Sequence, residues 1–230
     1  MSVTAILLCA GRGERLDAGV PKALAPLAGR PLFAWSLETL QRSSAIDAIV
    51  LVGARRLLRE AIAASGLTAA KVHAFIEGGQ ERQDSVGRGL SSLPEDCTHV
   101  AVHDSARALV SVEVIARAVG AALEHGAAIA ALPLADTLKR VTLGAIEDTI
   151  PRAGLWCAQT PQVFRRDWVV RAHAEAHGRA TDDAALVEAL GHPVRVTTGD
   201  ALNLKITTAA DLALAEAWLA RLAATPGKGE

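Results

Sequence analysis

The sequence predicts an α/β fold, a mostly parallel twisted sheet with helices on both faces. Three observations carry this expectation. Half of the 230 residues are hydrophobic and 21% are charged, enough apolar material for one sizeable core and too much for a disordered chain. Apolar runs of strand length recur along the chain. Between them lie stretches whose apolar residues fall at helical spacing, and strands alternating with helices imply parallel pairing covered on both sides.

The elements follow in order. The run 3–9 (VTAILLC) is nearly continuous and stops at Ala10-Gly11, as expected of a parallel strand buried on both faces. Similar runs predict strands at 45–52, 72–76, 99–103, 127–134 and 194–197, each bounded by turn residues or charge. Amphipathic spacing predicts helices at 32–42, 55–64, 85–93 and 112–125, the last capped by Ser111. Thr208-Ala-Ala-Asp211 reads as a capping box that opens a final helix over 211–223. Residues 135–163 break the rhythm with alternating polar and apolar residues, prolines and Gly144, and are predicted to leave the sheet as an extended β-arm over about 135–162. The chain reads as one Rossmann-like domain, 1–224, with that arm inserted and a flexible polar tail at 225–230.

Composition also excludes classes. The longest apolar runs are about strand length, so no membrane span is expected, and residues 1–5 enter the first strand without the pattern of a secretory signal. A cytoplasmic location is the expectation. Cys9, Cys97 and Cys157 are odd in number and far apart, which indicates neither a disulfide framework nor a zinc site. A net charge of −1 supplies no overall field for nucleic acid. Any anion site must therefore be built locally. Five lysines against nineteen arginines make a lysine inside a loop motif worth attention.

Four such motifs stand out. Leu8-Cys-Ala-Gly-Arg-Gly-Glu-Arg-Leu16 with Val20-Pro-Lys-Ala-Leu24 follows the first strand. Its small residues Ala10, Gly11 and Gly13 would let backbone N–H groups approach a phosphate chain that Arg12, Arg15 and Lys22 neutralise. It is neither a dinucleotide fingerprint nor a Walker A loop. The other reading is an ordinary strand-to-helix turn with solvated arginines. In Val102-His-Asp-Ser-Ala-Arg107 an apolar strand ends in a carboxylate, so Asp104 is either a Mg²⁺ ligand or one half of an Asp–Arg pair. Gly78-Gly-Gln-Glu-Arg-Gln-Asp-Ser85 is a glycine turn into a helix, able to read a base or ribose edge or simply to cap the helix. Asn203-Leu-Lys-Ile-Thr207 places Lys205 in an apolar run, where burial would require an anion, unless the side chain snorkels to water.

The excursion adds Asp136, Thr137, Arg152 and Thr160, hydroxyl, acidic and cationic groups suited to a phosphorylated acceptor. His173 and His177 stand at helical i, i+4 spacing, but no third ligand accompanies them.

In their order and spacing, AGRGERL with PKAL, GGQERQDSV, VHDSAR, DTLKR, RAGLWCAQTPQVF, TDDAALVE and NLKITTAADLALAE resemble the 2-C-methyl-D-erythritol 4-phosphate cytidylyltransferases of the non-mevalonate isoprenoid pathway. The resemblance runs nearly end to end. It implies transfer of the cytidylyl group from CTP to 2-C-methyl-D-erythritol 4-phosphate. Arg15, Lys22 and Lys205 would act on the triphosphate, and Asp104 would hold Mg²⁺. Gly79, Gln80, Ser85 and Ser105 would surround cytosine and ribose. Arg107, Thr137, Arg152, Thr160 and Thr181 would approach the sugar phosphate, with the arm reaching across a homodimer. The sequence departs from the family pattern at Gln80, where an acid is usual, at Ala108, where proline is common, and at Leu202, which breaks the polar run before Asn203.

Overall fold

The structure, a computed structural model, describes residues 1–11 and 19–224. The expected phosphate-loop residues Arg12, Gly13 and Arg15 and the tail 225–230 lie outside the described residues. In chain order the strands are β1 (Ser2–Cys9), β2 (Pro26–Leu27), β3 (Arg30–Pro31), β4 (Ala48–Gly53), β5 (Val72–Glu77) and β6 (Cys97–Asp104). They continue with β7 (Ala127–Pro133), β8 (Leu138–Thr142), β9 (Ala145–Ile150), β10 (Trp156–Arg165) and β11 (Arg195–Thr198). The helices are α1 (Leu32–Arg42), α2 (Arg55–Ser65), α3 (Arg82–Leu90), α4 (Val112–His125), α5 (Arg166–Ala174), α6 (Asp183–Ala189) and α7 (Ala209–Ala224).

Seven of these strands form one sheet in the order β11-β7-β10-β6-β1-β4-β5. All its pairings are parallel except those of β10, which runs antiparallel to both β6 and β7. Period-two alternation in β1 divides the core. Val3, Ala5, Leu7 and Cys9 face Phe33 and Leu37 of α1, Leu58 of α2 and Val114 and Ile115 of α4. Ile6 and Leu8 face α3, α5 and α6 on the other side. Gly89 permits the close approach of α3, because a Cβ there would come within 2.9 Å of the Ile6 side chain.

Two expectations are corrected. Residues 134–155 leave the sheet, with 138–150 forming the β8–β9 hairpin, whereas the last part of the expected 135–162 arm belongs to β10. The polar residues Gln159, Thr160 and Gln162 disguised this strand, yet all three are buried. They accept from the N–H groups of Asp104 in β6, Ala184 in α6 and Asp200 in the loop after β11, which offsets the cost of burying them. The helix expected at 85–93 starts at Arg82, because Glu81 and Asp84 form a capping box ahead of it. In addition, α5 ends at Ala174, so His177 lies beyond the helix and the i, i+4 pair does not form.

The final helix is anchored as its signature predicts. Thr208 Oγ1 accepts from the Asp211 N–H at 3.2 Å, and Asp211 Oδ2 accepts from the N–H groups of Thr207 and Thr208 and the Thr207 hydroxyl, each at 2.8 Å. These bonds, led by the Thr207 N–H, draw the Asp211 carboxyl down to about 2. The folded value lies below the unfolded one, so the stabilisation is complete above about pH 4 and is lost as pH falls to about 2. Asp211→Ala is therefore expected to cost on the order of 1 kcal/mol at pH 7, the usual worth of a helix cap. Unfolding midpoints at pH 7 and pH 2.5 check this: the gap from the unsubstituted protein should close at the lower pH, and a constant gap would assign the loss elsewhere.

Candidate active site

The chain runs from β1 to β4 and β5 on one side and then crosses to β6 on the other, so the order in which strands are added reverses between the parallel β1 and β6. Loops at the carboxyl ends of such strands diverge and leave a crevice. The crevice holds a cavity whose walls come from the ends of β1, β5 and β6 and from the segment before α7.

The β1 loop contributes Ala10, Gly11 and Lys22. The Lys22 N–H donates to the Gly11 carbonyl at 3.3 Å, so the two ends of the glycine-arginine segment are tied together and Lys22 lies beside Gly11. The β5 loop contributes Gly79 and Gln80, and the first turns of α3 contribute Ser85. A Cβ at Gly78 would meet the Ala10 side chain at 2.5 Å, so a glycine lets the two loops touch, and one at Gly79 would meet Asp84 at 2.3 Å, so a second glycine lets the turn fold against the start of α3. Ser85 is nearly inaccessible. Its oxygen accepts from the Gly79 N–H at 2.9 Å and its hydroxyl donates to the Glu81 carbonyl, which makes it the brace of the glycine turn.

Asp104 closes the end of β6, with Ser105 beside it on the cavity wall. Its carboxylate is almost wholly buried and meets two cations. Arg82 Nε donates to Oδ1 at 3.1 Å, and Lys205 Nζ lies 2.7 Å from Oδ2. Burial pushes the acid upward, but Arg82 and then Lys205 overcome it and hold the carboxyl well below its usual range. The expected alternative, a pair with Arg107, does not form. Arg107 instead donates to the carbonyls of Asn203 and Ala158. Lys205 does meet an anion, as its sequence context requires, but its side chain is 44% exposed rather than buried.

Behind Asp104 a short chain of hydrogen bonds fixes the strand end. The Asp104 N–H donates to Thr160 Oγ1 at 3.1 Å, and Thr160 lies 3.0 Å from His103 Nδ1. His103 Nε2 faces the Arg107 carbonyl, which only accepts, so the ring proton is on Nε2 and Nδ1 accepts from Thr160. Burial drives His103 down to about 4, which keeps it neutral.

A second cavity adjoins the first and is lined by Arg107, Thr160 and Thr181, three of the residues expected to meet an acceptor. Asp136, Thr137 and Arg152 are not among its walls. They lie exposed at the base of the arm, where the Arg152 guanidinium donates to the Ala135 carbonyl. Arg82, Asp104 and Lys205 line both cavities.

Several residues of the site were not assigned from sequence. Gln159 accepts from the Asp200 N–H and the Asn203 side chain and donates to the Asp200 carbonyl, which holds the loop leading to Lys205. Gln162 accepts from the N–H groups of Asp183 and Ala184 and donates to Asp182. Arg82 lies within Gly78-Gly-Gln-Glu-Arg-Gln-Asp-Ser85, where nothing in the sequence marks it off from a solvated charge. The available signal was the repeated polar residue in an otherwise apolar run, Gln159-Thr160-Pro161-Gln162.

As a candidate metal site, the crevice has Asp104 on the wall shared by both cavities, whereas Glu81 caps α3 and pairs with Arg179, and Asp182 caps α6 and accepts from Gln162. Among the described residues no cluster of three or more His, Cys, Asp or Glu could hold a metal. Each carboxylate oxygen has two acceptor positions and Arg82 and Lys205 take one apiece, so Asp104 keeps capacity for a Mg²⁺ shared with substrate phosphates.

A switch-point crevice with Lys22 on one wall, the ionised Asp104 on the other and an adjoining cavity fits a nucleotidyltransferase, the class to which the matching family belongs. The family model described as 2-C-methyl-D-erythritol 4-phosphate cytidylyltransferase matches residues 3–221, and the chain belongs to that family. Among its relatives, the enzyme of that name from Synechococcus sp. (strain WH7803) is 46% identical over 220 residues, covering 94% of this chain and 98% of that one. The one from Frankia casuarinae is 47% identical, covering 95% and 82%. The crystal structure of the Thermus thermophilus enzyme superposes with a TM-score of 0.77 at 37% identity, covering 94% of this chain and 98% of that one.

Proposed function

We propose that the two cavities together perform the family's reaction, transfer of the cytidylyl group of CTP to 2-C-methyl-D-erythritol 4-phosphate. The observation that carries this reading is the wall shared by the cavities. If CTP occupies the first and the sugar phosphate the second, the reacting phosphates meet at Arg82, Asp104 and Lys205. An acceptor phosphate oxygen attacks the α-phosphorus in line. One P–O bond forms, the bond to the β-phosphate bridging oxygen breaks, and pyrophosphate leaves with the bonding pair.

Phosphate is already an adequate nucleophile, so the protein's work is positioning and electrostatic stabilisation. Lys22 and Arg15 are assigned to the triphosphate and Lys205 to the charge that grows at the reacting centre. Asp104 would hold Mg²⁺, which would supply Lewis-acid stabilisation of the phosphate charge. Gly79, Gln80 and Ser105 would face cytosine and ribose, with Ser85 supporting the turn. Arg107, Thr160 and Thr181 would bind the acceptor phosphate and hydroxyls. Both substrates are small and water-soluble, and a cytoplasmic location is part of this reading. Among the described residues no helix is long and apolar enough to cross a membrane.

The arm supplies the remaining assignment. Val141 and Ile146 are mostly exposed and Leu143 fully so, which is apolar surface that another copy of the chain can cover. A homodimer joined through the arm would carry Asp136, Thr137 and Arg152 toward the partner's acceptor cavity. Replacing residues 138–150 by a short turn is expected to give a monomer by light scattering. A dimer that survives the replacement would remove the arm from the interface.

Pyrophosphate release with Mg²⁺ tests the function directly, offering CTP, UTP, ATP and GTP against 2-C-methyl-D-erythritol 4-phosphate and ribitol 5-phosphate. Turnover confined to CTP with the first acceptor is expected. Turnover confined to another pair would reassign the base or the acceptor.

A further inference from the structure

Behind the wall shared by the cavities lies a buried acid that the reaction does not touch. Asp183, the first residue of α6, is 1% exposed. Its Oδ2 lies 2.8 Å from Arg82 Nη1, and its Oδ1 lies 3.0 Å from His173 Nε2. The approach to Arg82 is off the hydrogen-bond axis, so this contact is an ion pair rather than an aligned hydrogen bond. The backbone of Asp183 is fixed as well, since its N–H donates to the buried Gln162 of β10. The side chain is thus held from α5 and the backbone from the sheet, and the acid presents Oδ2 to one guanidinium.

That guanidinium is divided between two acids. Arg82 gives Nη1 to Asp183 and Nε to Asp104, and its side chain forms part of both cavity walls. A guanidinium free to choose would turn its fork onto one carboxylate and donate two parallel bonds. Here Asp183 ties down Nη1, on the far side of the group from the Nε–H, and in the pose so fixed only Nε donates to Asp104. Asp104 then receives one bond from Arg82 and keeps acceptor capacity toward the reacting phosphates.

We propose that Asp183 is a positioning residue for the transfer reaction: acting through Arg82, it keeps Asp104 open to a phosphate-bound divalent cation. The inference rests on the assignment of Asp104 as the Mg²⁺ ligand. The competing account makes the Arg82–Asp183 pair a structural tie between α3 and α6, with no bearing on the metal.

Calorimetric CTP binding across a Mg²⁺ titration, without acceptor and so without turnover, separates the two. Asp183→Asn, nearly identical in shape, is expected to raise the Mg²⁺ concentration for half-maximal CTP binding about ten-fold, the usual size of an outer-sphere effect on metal affinity. In an Arg82→Ala background the same substitution is expected to change nothing, because the guanidinium through which it acts is gone. An equal shift in both backgrounds, or none in either, overturns the proposal.

Should Asp183→Asn fail to fold, Arg82→Lys serves instead. It keeps the charge, but one ammonium cannot span both acids in the same way, so the same rise in Mg²⁺ requirement is expected. An unchanged requirement overturns the proposal. Mg²⁺-independent CTP binding by the unsubstituted protein would be a different failure, removing the metal from Asp104 and the role of Asp183 with it.

Discussion

Replacing Lys22 with alanine is expected to lower kcat by about 10²-fold or more, the loss that follows removal of one preorganised charge-stabilising donor elsewhere. The expectation has a structural reason beyond the charge itself. Lys22 opens a single turn of 3-10 helix after Pro21, and its N–H is tied to Gly11, so its backbone is fixed before any substrate arrives. A side chain that starts from a fixed backbone has less to reorganise as charge builds on the α-phosphate. Steady-state pyrophosphate release with saturating CTP measures the effect, and calorimetric CTP binding separates it from affinity. A near-normal kcat would take Lys22 out of the chemistry and leave it a ground-state contact.

Asp104→Asn is expected to be nearly as damaging, and for two separable reasons. The substitution leaves Arg82 and Lys205 facing a neutral amide. Breaking a buried pair usually costs roughly 3–5 kcal/mol. Arg82 and Lys205 are both partly hydrated, so about 2 kcal/mol is the expected loss of stability here. The second loss is the acidic oxygen that would bind Mg²⁺, with an expected drop of about 10²-fold in kcat/KM. Assays run well below the melting point of the variant isolate the second effect. Full activity in a measurably destabilised variant would make Asp104 purely an ion-pair partner.

Much of this architecture is legible in the residues because local and global demands agree. The helices 32–42 and 112–125 are read to the residue, since an amphipathic face and clear boundaries coincide there. The crevice residues were legible for a related reason: glycines, a lysine among arginines and a carboxylate at a strand end have few structural uses together. What escaped is equally specific. β10 hides because its buried positions carry Gln159, Thr160 and Gln162, whose partners lie some 20 to 56 residues away in the chain. Periodicity cannot register bonds of that separation. Arg82 escaped because a charged residue in the first turn of a helix looks like solvated surface until Asp183 and Asp104 are brought to it by two other elements.

The insertion of β10 also sets an order of assembly. β1, β4, β5 and β6 can pair with one another as soon as residue 104 is available, since every connection among them precedes that point. β7 and β11 cannot join them, because the place beside β6 belongs to a strand made about fifty residues later. A growing chain that has not yet produced residues 156–165 therefore exposes the β6 edge, with the backbone of Val100, Ala101 and Val102 unpaired on one side. These residues are apolar, and an open apolar edge invites pairing with other chains. A nascent chain of this length should thus depend most on chaperones in the interval between β6 and β10, and should shed that dependence when the arm has returned to the sheet.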